Sequence, residues 1–304
     1  MIGQTVTITV PASTANLGPG FDSIGLALNR YLRLEVTSRD EWAFSFEGPN
    51  LEGISSSTDN LIYEIAEKIA DEYEKKLTPC HVKVTSEIPL GKGMGSSAAA
   101  IVAGIQLANH IANLNLTREE VAQHASAIEG HPDNAGASVY GGLVIGTHSE
   151  QGTFITHGEV YDVDIIMMVP SQQLLTKKAR GILPDVIPFS EAVQASSVSN
   201  VLVASLLTNN WPLAGEMMVR DLFHQPHRFD LVPGLENIVK TIKDYGAYGA
   251  ALSGAGPTLI VFAPKGKSQD VIAKLKVNFS DFDYERVNVD HFGEKCEVAG
   301  VNVV

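Results

Sequence analysis

The segment from Pro89 to Ser97 contains three glycines at every second position, followed by two serines. Glycine has no side chain, so this backbone can approach a ligand closely. Ser96 and Ser97 fall where the first N–H groups of a following helix have no internal partner, and such groups bind phosphate. The spacing matches neither a Walker A motif nor a dinucleotide fingerprint. We predict a phosphate site here, and a glycine-rich turn that only packs a strand against a helix is the alternative.

A second candidate segment runs from Pro11 to Asp22, where Asn16 and Asp22 bracket a Gly-Pro-Gly corner. Asn and Asp often only form turns, but they also bind polar ligands. A third small-residue loop, from Leu252 to Thr258, leads into an apolar run that is typical of a strand.

The segment from Glu129 to Asn134 places a carboxylate at a predicted helix C-terminus, where it is disfavoured unless a cation compensates it. Mg²⁺ is such a cation, because it prefers one or two carboxylates together with phosphate oxygens. A solvated Glu and a loop His are the alternative interpretation of this segment.

The elements that must position these segments follow from the hydrophobic periodicity. Strand-like alternation at 81–85 leads directly through the glycine loop into an Ala-rich helix, which is the layout of a phosphate site. A capping-box pattern at Thr117 and Glu120 begins the helix that ends before the third segment. The remaining predictions are strands at 5–10, 31–37, 142–146, 163–169 and 258–262, helices at 60–75, 96–113, 190–207, 211–222, 233–244 and 267–277, and a domain boundary near 150–162.

Composition excludes several classes of protein. The chain has 304 residues and a formal charge of −13, so its field repels nucleic acids and anionic membranes. Cys80 and Cys296 lie far apart, which argues against a disulfide framework or a zinc site. The N-terminus lacks a signal-peptide pattern, and the apolar stretch 98–108 is too short to span a bilayer. We therefore expect a cytoplasmic protein of one or two domains.

Taken together, these four segments resemble the GHMP family of small-molecule kinases, whose signature blocks match Pro11–Asp22, Pro89–Ala99 and Leu252–Thr258. Within the family, the first block and the run His131-Pro-Asp-Asn134 look most like the branch that acts on homoserine. The resemblance implies an α+β fold of two domains: an N-terminal mixed α/β domain at 1–155 with the phosphate loop, and a C-terminal ferredoxin-like α/β sandwich at 156–304. It also implies ATP-dependent phosphorylation of the L-homoserine hydroxyl in threonine biosynthesis.

Residue by residue, the resemblance implies catalytic roles for Asn134, His131, Arg180 and Arg228, and Mg²⁺ ligands at Ser97 and Glu129. It places L-homoserine near Asn16, Asp22, His131, Arg180, Arg228 and Gly254, and near Asn134. It places the ATP triphosphate on Pro89, Leu90, Gly91, Lys92, Gly93, Met94, Gly95, Ser96, Ser97, Ala98 and Ala99. Charge favours the amino acid independently, because its ammonium needs a carboxylate such as Asp22 and its carboxylate needs a guanidinium fork.

Two questions stay open from the sequence. The resemblance implies that Asn134 occupies the position of the base in related kinases; because an amide cannot take a proton, we expect direct in-line attack, with Asp133 as the rival base. A kinase for mevalonate or a related alcohol, a silent small-molecule sensor and a nicotinamide dehydrogenase are the alternative functions. Some members of the family are dimers, so a homodimer is also expected.

Overall fold

The computed structural model describes residues 5–54, 56–172, 174, 176–232 and 234–299. Within these residues the strands are β1 (Thr5–Ala15), β2 (Ile24–Ser38), β3 (Ala43–Glu47), β4 (Cys80–Ser86), β5 (Leu143–Ser149), β6 (Gly152–Gly158), β7 (Val163–Pro170), β8 (Gly249–Leu252), β9 (Leu259–Pro264), β10 (Phe282–Val287) and β11 (Lys295–Ala299). The α-helices are α1 (Leu61–Glu72), α2 (Ser96–Ile111), α3 (Arg118–Glu129), α4 (Asp133–Tyr140), α5 (Thr176–Arg180), α6 (Phe189–Leu207), α7 (Trp211–Met218), α8 (Gln225–Arg228), α9 (Leu235–Thr241) and α10 (Ser268–Asn278), and short 3₁₀ turns lie at Pro49–Leu51, Phe229–Leu231 and Ile242–Tyr245.

The first sheet has seven strands in the order β11-β1-β2-β4-β3, with β5 paired to β2 and β6 paired to β5. β3 and β4 are parallel, and the other pairs are antiparallel. β1 and β2 are longer than predicted, because the small residues after Val10 continue the pairing as far as Ala15 opposite Gly25. The loop between them is therefore short, and it holds Asn16 and Asp22 close to the end of β1.

The second sheet has four antiparallel strands in the order β10-β7-β9-β8. Along the chain these strands follow the order β7, helices, β8, β9, α10 and β10. This succession and strand order are those of a ferredoxin-like sandwich. They confirm the predicted α+β fold class with its mixed first sheet and ferredoxin-like second sheet.

One hydrophobic core joins the two sheets. Side chains alternate across β7, so Ile165 and Met167 pack into the core of the first sheet, while Ile166 and Met168 face the helices on the other side. β11 belongs to the first sheet although its residues come late in the chain, since it pairs with β1. The two halves of the chain are thus joined by packing and by a shared sheet.

Local sequence explains how the helices beside the site begin. α3 starts with a complete capping box, in which the Thr117 hydroxyl accepts from the Glu120 N–H and the Glu120 carboxylate accepts from the Thr117 N–H. α1 is capped by Asn60, whose side chain accepts from the Tyr63 N–H. Both helices pack against α2, the helix that follows the glycine loop. Across the described part of the chain, we find no helix with the length and apolar character that crossing a bilayer requires.

Candidate active site

The glycine loop connects β4 to α2 and adopts a conformation that other residues resist. Gly91, Gly93 and Gly95 have φ angles of 66°, 75° and 70°, in the left-handed region that favours glycine. Gly95 is the N-cap of α2 and offers no side-chain cap. The first N–H groups of α2 therefore remain available to an anion at the positive end of the helix dipole.

Three carbonyl oxygens of this loop accept hydrogen bonds from the C-terminal half of the chain. Gly91 O accepts from the Leu174 N–H at 3.3 Å, and Lys92 O accepts from the Thr258 N–H at 3.3 Å. Gly93 O accepts from the Ser253 hydroxyl at 2.6 Å. Because these three carbonyl oxygens are bonded to other parts of the protein, their partial negative charges do not face a phosphate bound in the cleft.

The Lys92 side chain also binds the C-terminal half. Its ammonium donates to the backbone oxygens of Pro170, Ser171 and Gln172 at 2.7, 2.7 and 2.6 Å. Partial burial lowers the pKa of Lys92, and Asp283 opposes that shift. Although the sequence suggested a triphosphate contact for this residue, all three ammonium hydrogens have protein partners at the end of β7.

Asn16 joins the first and third small-residue loops. Its amide nitrogen donates to Gly254 O at 3.0 Å, and its amide oxygen accepts from the Asp22 N–H at 2.9 Å. Both Asn16 and Asp22 have positive φ angles, 74° and 53°. This strained corner holds the Asp22 carboxylate at the cleft, as the pattern around Gly-Pro-Gly indicated.

Asp22 forms a two-bond ion pair with Arg180, the last residue of α5. The two guanidinium nitrogens lie 2.9 and 2.7 Å from the Asp22 carboxylate oxygens. The hydrogen bond with Asp22 raises the pKa of Arg180. Both Arg180 and Arg228 lie with their guanidinium carbons 5.5 Å from the centre of the Phe21 ring, so the three side chains form one wall.

Arg228 is almost fully buried, which is unusual for an arginine. Its Nε donates to Ala179 O at 3.0 Å, and its Nη1 donates to Gly254 O at 3.2 Å. Burial, and then the charge of Arg180, lower the pKa of Arg228 to about 10. A negatively charged ligand in the cleft would relieve this concentration of positive charge.

Glu129, at the end of α3, lies beside Ser97 of α2. Burial raises the pKa of Glu129, although a hydrogen bond with the Ser97 side chain opposes this. His131 Nε2 lies 3.7 Å from a Glu129 oxygen. The structure thus brings together a carboxylate and a hydroxyl next to the helix N-terminus, which are the oxygen ligands that Mg²⁺ prefers.

His131 and Asp133 form a close pair, with Nδ1 of the imidazole 2.5 Å from Asp133 Oδ1. Burial opposes the charged imidazole, but the bond to Asp133 and the charges of Asp133, Asp22 and Glu129 raise the pKa of His131. Among the described residues, Asp22, His131 and Asp133 form the one group of carboxylate and imidazole side chains close enough to share a metal ion. Within this group, Asp22 is already bonded to Arg180, and His131 and Asp133 are bonded to each other.

Asn134 lies at the start of α4 and faces the glycine loop. Its side-chain oxygen accepts from the Ser13 hydroxyl at 2.9 Å, and its backbone N–H donates to Asp133 Oδ1 at 2.6 Å. A Cβ at Gly95 would lie 2.1 Å from the Ser13 oxygen, so the loop packs directly on this pair. Sequence analysis did not single out Ser13 or Phe21, although both belong to the Pro11–Asp22 block.

One cleft collects these groups and has about 620 Å³ of empty space, including solvent at its mouth. It contains every predicted catalytic, metal and amino-acid residue, whereas Pro89, Leu90, Lys92 and Ala99 do not line it. Its lining residues are Asn16, Phe21, Asp22, Gly91, Gly93, Met94, Gly95, Ser96, Ser97, Ala98, Glu129, His131, Asp133, Asn134, Arg180, Arg228, Gly254 and Ala255.

A second, apolar pocket adjoins this cleft and shares Ser96 and Ser97 with it. Leu90, at the start of the glycine loop, lines the apolar pocket rather than the cleft. The other lining residues are Leu32, Phe46, Leu51, Ile54, Asn60, Leu61, Ile62, Val84, Ser86, Ile88 and Ala100. The N-terminus of α2 therefore lies between an apolar and a charged compartment. No local pattern predicts the apolar compartment, because its walls come from six separate segments.

Comparison with known proteins agrees with this geometry. The family models described as GHMP kinases N terminal domain and GHMP kinases C terminal match residues 60–142 and 202–281. A homoserine kinase from Halalkalibacterium halodurans is 54% identical over 287 residues, covering 94% of this chain and 93% of the relative. A homoserine kinase from Bacillus pumilus is 51% identical over 298 residues, covering 98% and 96%.

A solved structure leads to the same assignment. A Listeria monocytogenes protein assigned as a homoserine kinase superposes with a TM-score of 0.83 and 42% sequence identity, covering 96% of this chain and 99% of its own. Similarity at this level extends over both sheets and the cleft between them. The chain therefore belongs to the GHMP kinase family, and within it to the homoserine kinases.

Proposed function

We propose that this chain transfers the γ-phosphoryl group of ATP to the hydroxyl of L-homoserine, giving O-phospho-L-homoserine and ADP. One observation carries the proposal: an anion-binding helix start and an Asp22–Arg180–Arg228 cluster face the same cleft. The first suits the phosphates of a nucleotide, and the second suits an amino acid with both of its charges.

ATP fits across the boundary of the two compartments. The phosphates would lie on the N–H groups that follow Gly95, where the helix dipole and unpartnered donors favour anions. The adenine would occupy the apolar pocket, which shares Ser96 and Ser97 with the cleft. Pockets for flat ligands are usually apolar with few polar groups, as this one is.

Mg²⁺ would be held by Ser97 and Glu129, whose side chains interact beside the helix start. When bound, the ion would neutralise phosphate charge, which is the main catalytic need in phosphoryl transfer. The raised pKa of Glu129 fits this role, because a nearby cation would stabilise the buried carboxylate.

L-Homoserine would bind on the opposite wall of the cleft. Its carboxylate would accept hydrogen bonds from Arg228 and Arg180, and its ammonium would donate to Asp22. The Asp22–Arg180 pair already shows the geometry of a guanidinium fork with a carboxylate. The bound substrate would insert between Asp22 and Arg180. Their direct ion pair would then be replaced by two ion pairs, one between Asp22 and the ammonium and one between Arg180 and the carboxylate.

Direct in-line transfer is favoured by the contacts of Asp133. Its Oδ1 accepts from Asn134 N–H and lies 2.5 Å from the His131 imidazole. To take the hydroxyl proton, this oxygen would have to give up one of these two contacts. The residues of the cleft would then orient the hydroxyl, and its proton would pass to the transferred phosphate or to water.

The location and assembly of the protein remain predictions. The formal charge of −13 supports a chain that avoids nucleic acid and anionic membranes. A cytoplasmic location is proposed from the N-terminus, which lacks a signal-peptide pattern, and from the two distant cysteines. A homodimer is proposed only because some members of the family are dimers.

An ADP-release assay with Mg-ATP tests the function, with L-homoserine, mevalonate, galactose and shikimate as separate substrates. Strong turnover on L-homoserine alone supports the proposal. Turnover on another of these alcohols would keep the phosphate site but refute the amino-acid site, and failure on all four would favour a sensor. Arg228→Gln is a second test of the amino-acid site, since it removes the proposed carboxylate contact and leaves the residues of the glycine loop unchanged.

A further inference from the structure

His224 is a fully buried imidazole that does not line the cleft. It immediately precedes α8, the helix that ends at Arg228. Its ring stacks on Phe21 with a centroid separation of 5.2 Å, behind the wall that Phe21 forms with the two arginines. Nothing in the proposed reaction uses His224, so both of its ring nitrogens need an explanation.

The partners of the two nitrogens determine the protonation of the ring. Nδ1 lies 3.0 Å from Arg228 Nη1, which can only donate, so Nδ1 must accept and carries no hydrogen. Nε2 lies 2.9 Å from Gly18 O, which can only accept, so Nε2 carries the hydrogen. Asp221 Oδ2, at 3.3 Å from Nε2, is a second acceptor on the same side. The ring is therefore neutral, with a fixed tautomer.

The charge balance agrees with this assignment. Burial lowers the pKa of His224, and the nearby Arg228 charge lowers it further, against the opposing influence of Asp221. A protonated ring would place a second cation 3.0 Å from a buried guanidinium. The neutral form instead supplies the acceptor that a buried arginine requires.

His224 helps to hold the Arg228 side chain in place, and it does not itself line the cleft. Nε of Arg228 is held by Ala179 O, while Nη1 is shared between Gly254 O and His224 Nδ1. Among the described residues, Nη2 of Arg228 has no protein hydrogen-bond partner. Since Arg228 lines the cleft, this free end of the fork is the part available to a ligand.

We infer that His224 is a positioning residue that orients Arg228 toward the carboxylate of the amino-acid substrate. The inference rests on the proposed function, because it assigns Arg228 to that carboxylate. His224 would affect only the binding of the L-homoserine carboxylate. It would leave the nucleotide side of the cleft unaffected, because its bonds reach only Gly18 and Arg228 among groups near the cleft.

Two substitutions separate the two bonds of the ring. The Asn side chain places its oxygen near the position of Nδ1, so His224→Asn keeps an acceptor for Arg228 and loses the donor to Gly18. The Gln side chain reaches the position of Nε2, so His224→Gln keeps the donor to Gly18 and loses the acceptor for Arg228. The two variants are of similar polarity and serve as each other's controls.

We expect His224→Gln to raise KM for L-homoserine by about 10- to 100-fold, the usual effect of a lost hydrogen bond to a charged group. We expect His224→Asn to stay within about threefold of the unsubstituted chain, and KM for ATP to change little in either. Equal effects of the two variants, or a parallel rise in KM for ATP, would show that His224 is only part of the packing and would overturn the inference.

A substrate analogue isolates the carboxylate. 3-Aminopropan-1-ol is L-homoserine without its carboxylate, so its kcat/KM should be nearly the same in the unsubstituted chain and in His224→Gln. An equal loss on both compounds refutes the inference. Failure of the unsubstituted chain to phosphorylate L-homoserine refutes the proposed function instead, so the two failures are distinguishable.

The tautomer can be tested without any substitution. Nitrogen NMR of the unsubstituted chain, labelled with ¹⁵N, should show a His224 ring with hydrogen on Nε2 and a bare Nδ1 at neutral pH. A hydrogen on Nδ1, or a doubly protonated ring, would remove the acceptor for Arg228 and overturn the inference even if neither variant folds.

Discussion

Asp22 lies where the charges of the cleft meet. Its carboxylate is bonded to Arg180, its backbone N–H to Asn16, and its neighbour Phe21 supports both arginines. An amino-acid ammonium entering the cleft would meet this carboxylate beside the two arginines, whereas the Asp133 carboxylate is bonded to His131. We therefore propose that recognition of the amino group depends on Asp22.

We predict that Asp22→Asn raises KM for L-homoserine by about 100-fold, since a charge-assisted contact becomes a neutral one. KM for ATP should change less than about threefold. Steady-state kinetics with each substrate varied in turn measures both effects. Asp59→Asn, which changes an exposed carboxylate next to α1, is the charge-matched control, and indifference to Asp22→Asn would favour a substrate that lacks an ammonium group.

Whether Asp133 acts as the general base for the substrate hydroxyl can also be tested at single residues. Asp133→Asn should keep turnover within about tenfold if transfer is direct, because general-base catalysis usually contributes 10²- to 10⁴-fold. Asn134→Ala should lower turnover more, since Asn134 bonds Ser13 beneath Gly95. The pH–rate profiles of the two variants measure this. A loss of turnover in Asp133→Asn by about 10³-fold or more, with loss of the acidic limb, would identify Asp133 as the base.

Sequence reasoning succeeded for residues whose role is local. The left-handed glycines and the free helix start follow from types and spacing within 89–99. It did not foresee contacts with distant partners: the Lys92 ammonium binds backbone oxygens 78 to 80 residues away, while the predicted phosphate contact of Lys92 stays a prediction. The tautomer of His224 could not be predicted either, because its Nε2 is bonded to Gly18, 206 residues earlier.

Among the elements, the glycine loop belongs to the N-terminal half of the chain but is hydrogen-bonded to the C-terminal half. It follows β4 of the first sheet, but its carbonyl oxygens and Lys92 are bonded to segments next to β7 and β9 of the second. The end of β7 leads on toward α5, which carries Arg180. Lys92 therefore links the glycine loop to the segment that precedes Arg180.

We predict that Lys92→Met destabilises the nucleotide-free protein by about 1 kcal/mol, since three carbonyl oxygens lose a charged donor but remain partly hydrated. It should also raise KM for ATP, because the loop is held less firmly. Urea unfolding without ligand and steady-state kinetics measure the two effects. Lys240→Met removes an exposed lysine on α9 and is the control. Unchanged stability with weakened ATP binding would indicate a direct phosphate contact instead.

At the scale of the whole molecule, the chain begins and ends its described part in the same sheet. β11 pairs with β1, and the main core contains residues of both sheets, such as Val10, Met167 and Phe262. The predicted boundary near 150–162 rests on a local polar stretch, whereas the return of β11 could not be predicted, because pairing that runs from Thr5 with Ala299 to Thr9 with Lys295 leaves no local pattern. We expect a single cooperative unfolding transition.

The return of the chain brings Glu294 into the interior. It is 6% exposed, accepts a hydrogen bond from Gln106 of α2 at 2.9 Å, and has Arg118 of α3 at 3.8 Å. Burial raises the pKa of Glu294, and these two partners oppose the shift only in part. The folded protein thus binds a proton at this carboxylate more tightly than the unfolded chain does, so its contribution to stability falls as pH rises through that range.

We predict that Glu294→Gln makes the protein more stable than the unsubstituted chain at pH 7, because Gln keeps an acceptor for Gln106 and removes the buried charge. The difference should shrink as pH falls and largely disappear at about pH 3, more than one unit below the unfolded pKa of about 4.3, where the carboxyl group is mostly protonated in both states. Urea unfolding at the two pH values measures it, with Glu297→Gln on the exposed face of β11 as the control. A variant that is less stable at pH 7 would mean that the contact with Arg118 outweighs the burial of the charge.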